Sequence, residues 1–109
     1  MGEATGSATK LCLADLQQRL DGDTKALVAD FDLRQGNSDA QALLAASQSA
    51  WVAYRDAECA FSSSGVAGGR VYPIIYALCQ TNMTETRLET LKRYQSCVEG
   101  DMGCPVPEQ

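Results

Sequence analysis

A chain of 109 residues is the size of one domain, and 45% hydrophobic residues are enough to build a core for it. Nine Lys and Arg against fourteen Asp and Glu leave a net charge of −5, which excludes the clustered basic surface that nucleic acid requires. The chain has no histidine and no CxxC pair among its five cysteines, so Cys/His and paired-Cys zinc sites are excluded as well.

Much of the apolar count is alanine, and aromatic residues make up only 6%. That balance favours closely packed helices over a β-sandwich. Five cysteines in so short a chain point to an oxidising compartment, periplasmic or extracellular, with two disulfides and one cysteine left over. No run is long and apolar enough to span a membrane. The opening MGEATGSATK lacks the apolar core of a signal peptide, so the expectation is a mature exported chain.

Residues 1–8 are small and polar and read as a disordered tail, ahead of one helical domain over 9–105 and a C-terminal tail over 106–109. Leu13, Leu16, Leu20, Leu27 and Phe31 fall on one helical face, while Gly22 leaves open whether residues 10–34 form one helix or two. RQGNSD, 34–39, reads as a turn, with Gly36 a helix stop and Ser38 or Asp39 an N-cap. A second helix, uninterrupted by Gly or Pro, is expected from Asp39 to about Phe61. Its Leu43, Ala46, Ala50, Ala53, Ala57 and Ala60 repeat at 3-4-3-4-3, which predicts the packing seam of a central helix. Leu44, Ser47, Trp51, Tyr54, Glu58 and Phe61 form a larger row beside it.

SSSGVAGGR, 62–70, reads as a flexible loop in which Gly68 and Gly69 are free to take positive φ. Pro73 suits the first turn of a third helix, whose core face is expected to begin with Ile74, Ile75 and Leu78 and to continue through Leu88, Leu91, Tyr94 and Val98. Thr81 and Thr84 leave open a break and restart. Gly100 and Gly103 end the helix, and PVPEQ does not continue it. The fold class is therefore all-α: a three-helix up-down-up bundle stapled by disulfides, with no β-sheet. In that topology Cys59 faces Cys79, and the bridge is worth about 3 kcal/mol by loop closure. Cys97 with Cys104 clips the tail, and Cys12 is left unpaired.

Catalysis has little to stand on. Asp56 and Glu58, two apart on a helix, point to different sides, which excludes a facing carboxylate pair. Ser62, Ser63 and Ser64 have no histidine to activate them, and GVAGGR lacks the spacing of a phosphate loop. Trp51 and Tyr54 read as core. Arg55, beside Asp56, reads as pairing with a carboxylate on another helix or capping a helix end. Arg87 reads as reaching the end of the second helix or Glu58. No cofactor or metal is expected. The loop from Ser62 to Tyr72 combines hydroxyls with Arg70 and Tyr72, and is either a plain connector or a recognition surface for a protein partner. The protein itself is expected to be a monomer or weak dimer.

The set W-x-x-Y-R-D-A-E-C at 51–59, Gly68-Gly69, Pro73, Cys79 and T-x-x-R at 84–87 resembles the lysozyme-inhibitor LprI N-terminal-domain family of bacterial secreted proteins. The ending CVEGDMGCP, 97–105, looks like that of its short members, so the resemblance covers roughly 40–105. Upstream, Cys12 stands where such chains open their first helix, although Leu13 follows it where they carry Ala. The resemblance implies a small helical protein of the periplasm or cell envelope, with Trp51, Tyr54, Arg55, Asp56, Gly68, Gly69 and Arg87 as structural positions. It further implies a basic lysozyme as a candidate partner; the alternative is an envelope interaction or scaffold domain that leaves lysozyme untouched.

Overall fold

The structure, a computed structural model, describes residues 2–35, 38–96, 100 and 102–105. Three helices follow one another: α1 (Gly2–Gln35), α2 (Ser38–Ser62) and α3 (Tyr72–Gln95), with one 3-10 turn at Ser64–Val66. There is no strand among the described residues. The molecule is elongated, 55 × 23 × 20 Å, because a 34-residue α1 is about 51 Å long at about 1.5 Å per residue.

Composition predicts an unstructured segment over 1–8, whereas α1 begins at Gly2. Once a helix is nucleated, each added residue gains a backbone hydrogen bond, and Glu and Ala in this stretch are good helix formers. Gly22 does not divide α1. It sits in open space, and one glycine costs only about 1 kcal/mol against the cooperativity of a long helix. Nor do Thr81 and Thr84 restart α3: both are buried in its middle, and the Thr84 hydroxyl donates to the Gln80 carbonyl at 2.8 Å. Pro73 does sit in the first turn of α3.

The core is built by α1 and α3. Leu20, Leu27 and Phe31 meet Leu88 and Leu91, with Leu16, Val28, Leu44 and Tyr94 packed at the margin. Phe31 and Tyr94 meet edge to face, 6.3 Å between centroids. Ile75 and Leu78, expected at the start of this face, are 37% and 40% exposed. Ile74, expected with them, is half-buried, and the inward side continues through Ala77, Gln80 and Thr81. Val98 lies outside the described residues.

The expectation for α2 is overturned. The seam of Leu43, Ala46, Ala50, Ala53, Ala57 and Ala60 faces solvent, and Tyr54 and Phe61 are exposed beside it. The inward face is Gln41, Leu44, Gln48, Trp51, Arg55 and Cys59. Burial stabilises in proportion to area, and an alanine methyl removes little of it, whereas this other face brings a leucine, an indole, a disulfide sulfur and a guanidinium that satisfies carboxylates. α2 is a flank of the α1–α3 core, not its centre.

One staple is explicit: Cys59 and Cys79 are bonded, with Cα atoms 5.5 Å apart. Cys104 is also a disulfide cysteine, while its expected partner Cys97 lies outside the described residues. Cys12 is free and exposed.

Candidate functional site

The residues that stand out in the sequence converge on a polar node between the three helices. Arg55, its side chain 12% exposed, donates from Nε to Asp56 Oδ1 at 3.0 Å and places Nη1 3.6 Å from Asp21 on α1. Nη1 also lies 3.4 Å from the Thr84 hydroxyl on α3, and the guanidinium sits 5.0 Å over the Trp51 ring. Gln17 donates to both Asp21 (2.9 Å) and Thr84 (3.1 Å), and Gln80 donates to Asp56 at 3.0 Å. Every helix supplies at least one partner, so the node fixes how the helices register. Asp21 and Asp56 keep 44% and 47% of their side-chain surface in water, so no unpaired charge is trapped. The Arg-Asp pair of the motif is thus a structural fastener. Gln17, Asp21 and Gln80 have no signal in the sequence, since neither spacing nor composition ties them to Arg55.

Arg87 reaches neither the end of α2 nor Glu58. Its Nε donates to Gln48 at 3.0 Å and its Nη2 to the Ser47 hydroxyl at 3.1 Å, both in the first half of α2. The pairs Cys59–Cys79, Asp56–Gln80, Arg55–Thr84 and Gln48–Arg87 set falling numbers on α2 against rising numbers on α3, which carries Arg87 past Glu58. Beside it, Trp51, Tyr54, Met83, Thr86 and Thr90 line a shallow groove of about 370 Å³ between α2 and α3. Tyr54, expected in the core, is 60% exposed at its rim.

The turn between α2 and α3 is more ordered than its composition predicts. Ser63 is buried; its amide and its hydroxyl both donate to the Cys59 carbonyl, at 3.1 and 2.6 Å. As a candidate contact residue Ser63 is therefore corrected: its hydroxyl caps the end of α2. Ser62 lies against the same carbonyl and the Cys79 sulfur, each at 3.4 Å, and Ser64 donates to the Phe61 carbonyl at 2.7 Å; both remain exposed. Tight turns follow, Val66 to Ser63, Gly69 to Val66 and Tyr72 to Gly69. Gly68 adopts φ +82°, while Gly69 stands so close to the Val66 carbonyl that a Cβ there would lie 3.1 Å from it. Arg70 is exposed at the tip, and Tyr72 is half-buried with its ring 5.9 Å from that of Tyr76.

Among the described residues no cluster of three or more His, Cys, Asp or Glu side chains is placed to hold a metal, and no helix is long and apolar enough to cross a membrane. What this geometry offers is a disulfide-held turn between α2 and α3, and a shallow groove between the same two helices. A family model described as Lysozyme inhibitor LprI matches residues 2–91. The match takes in the whole of α1, which the motif-based resemblance over 40–105 left out. No curated protein and no solved structure matches the chain.

Proposed function

Because the chain belongs to the lysozyme inhibitor LprI family, we propose that it is a secreted or periplasmic binding protein that inhibits a lysozyme-type, peptidoglycan-cleaving enzyme. The observation that carries this reading is the family match across α1, α2 and most of α3. An up-down-up arrangement of the rod, to which the order of the α2–α3 pairs lends support, brings the α2–α3 turn to one end. The Cys59–Cys79 bond holds both strands of that turn, so little ordering entropy is lost when it docks.

The contact residues in this reading are Ser62, Ser64, Arg70 and Tyr72. A glycosidase cleft holds two carboxylates. Arg70 supplies the cation that meets one of them, and the exposed hydroxyls offer hydrogen bonds in place of the sugar. The net charge of −5 steers the chain towards a basic enzyme, and association weakens as salt rises. The protein acts by occupying a cleft and performs no chemistry of its own.

The test is cell-wall lysis by a panel of lysozymes, with the protein in excess at low and at physiological salt. Slowed lysis, weaker at high salt, is the expected result, and unchanged lysis across the panel refutes inhibition. An Arg70→Ala variant that inhibits as well as the parent removes the turn from the mechanism while leaving the family reading intact.

A further inference from the structure

Beyond the exposed Asp39 of its first turn, the outward face of α2 carries no charge. From Ala42 to Ser62 every exposed residue is uncharged, and Leu43 (72% exposed), Tyr54 (60%) and Phe61 (75%) are among them. The charged residues of the same span, Arg55, Asp56 and Glu58, are all half-buried. Arg55 and Asp56 are engaged with α1 and α3. A helix on the flank of a core ordinarily turns its charges outward and its apolar residues in. This one turns Leu44, Trp51 and Cys59 inward but no charge outward between Ala42 and Ser62, in a chain that is 21% charged. A long exposed apolar face is a surface made for association.

We propose that this face of α2 binds the same face of a second copy of the chain, as an antiparallel helix pair about a two-fold axis. Charge selects the occupant. Two copies at −5 each repel wherever their surfaces are acidic, and this neutral face is where they approach without that cost. A basic partner, by contrast, is drawn to the acidic remainder of the surface. The register selects it as well. Antiparallel pairing centred midway between Ala50 and Ala53 sets Ala50 against Ala53, Ala46 against Ala57 and Leu43 against Ala60. The bulky Leu43 meets a small residue at both ends, and the methyl-lined middle lets the two backbones approach closely. Such a face is complementary to itself, which is what a two-fold interface requires. Its 3-4 spacing is that of a coiled-coil seam, and the antiparallel sense opposes the helix dipoles favourably.

The extent of the face sets the strength. From Leu43 to Ala60 it is about 26 Å long and about 10 Å wide, or roughly 300 Å² per copy. Stable interfaces cover roughly 800 Å² per partner, so the dimer is weak and reversible.

Sedimentation equilibrium tests this on a Cys12→Ser background, which removes disulfide-linked dimers. Between about 10 μM and about 1 mM the weight-average mass is expected to rise from one chain towards two, as a dissociation constant in the high micromolar range dictates. Ala53→Glu, which puts charges at the centre of the pair on an exposed site, is expected to stay monomeric with an unchanged helical circular-dichroism spectrum. Leu33→Glu, an equally conservative change at an 85% exposed site on α1, is expected to dimerise like the parent. A chain that is monomeric throughout, a mass that climbs beyond two chains, or equal weakening by the two glutamate variants overturns the proposal.

Discussion

Replacing Arg55 by alanine takes away a side chain of α2 that reaches partners on both α1 and α3. The loss has separable parts. The bond to Asp56 is charge-assisted and only 12% exposed on the arginine side, so it contributes about 1.5–3 kcal/mol. The stacking on Trp51 at 5.0 Å adds about 0.5–1 kcal/mol. Asp21 and Asp56 stay nearly half in water after the change, so the large penalty of stranding a buried charge does not arise. The sum is about 2–4 kcal/mol, and for a domain of this size it lowers Tm by at least about 10 °C. Thermal unfolding followed by circular dichroism at 222 nm measures it. Arg55→Lys keeps the charge but not the planar fork, and is expected to recover less than half of the loss. A shift of less than about 3 °C for Arg55→Ala would refute the claim that the node fastens the bundle.

Two further outcomes follow from the packing. Cys79→Ser opens the bridge to Cys59 and is expected to cost about 3 kcal/mol, read as a lower urea midpoint; an unchanged midpoint contradicts the loop-closure account. Phe31→Ala, at a fully buried position, is expected to cost about 3–5 kcal/mol, whereas Ala57→Ser on the exposed face of α2 stays within about 0.5 kcal/mol. Comparable losses for both would place the outward face of α2 in a core after all.

The sequence by itself determined the helical class, the α1 side of the core and the Cys59–Cys79 pair. Leucines at helical spacing and turn residues between uninterrupted runs are local signals, and the leucine-rich face of α1 carries enough apolar area for burial to favour it. The motif around Arg55 was legible as structural, though its partners Gln17, Asp21 and Gln80 were not, because they lie on other helices and nothing local links them. Which face of α2 turns inward was decided only by the tertiary structure. Its alanine seam and its Gln41–Cys59 face are both regular enough to pack. The choice fell to the face whose disulfide, indole and guanidinium find partners on α1 and α3. In the same way Ser63 reads as a loop hydroxyl in the sequence and is buried in space, where its hydroxyl joins its own amide on the Cys59 carbonyl at the end of α2. Periodicity states that a helix has an apolar face; the neighbours settle which face they cover.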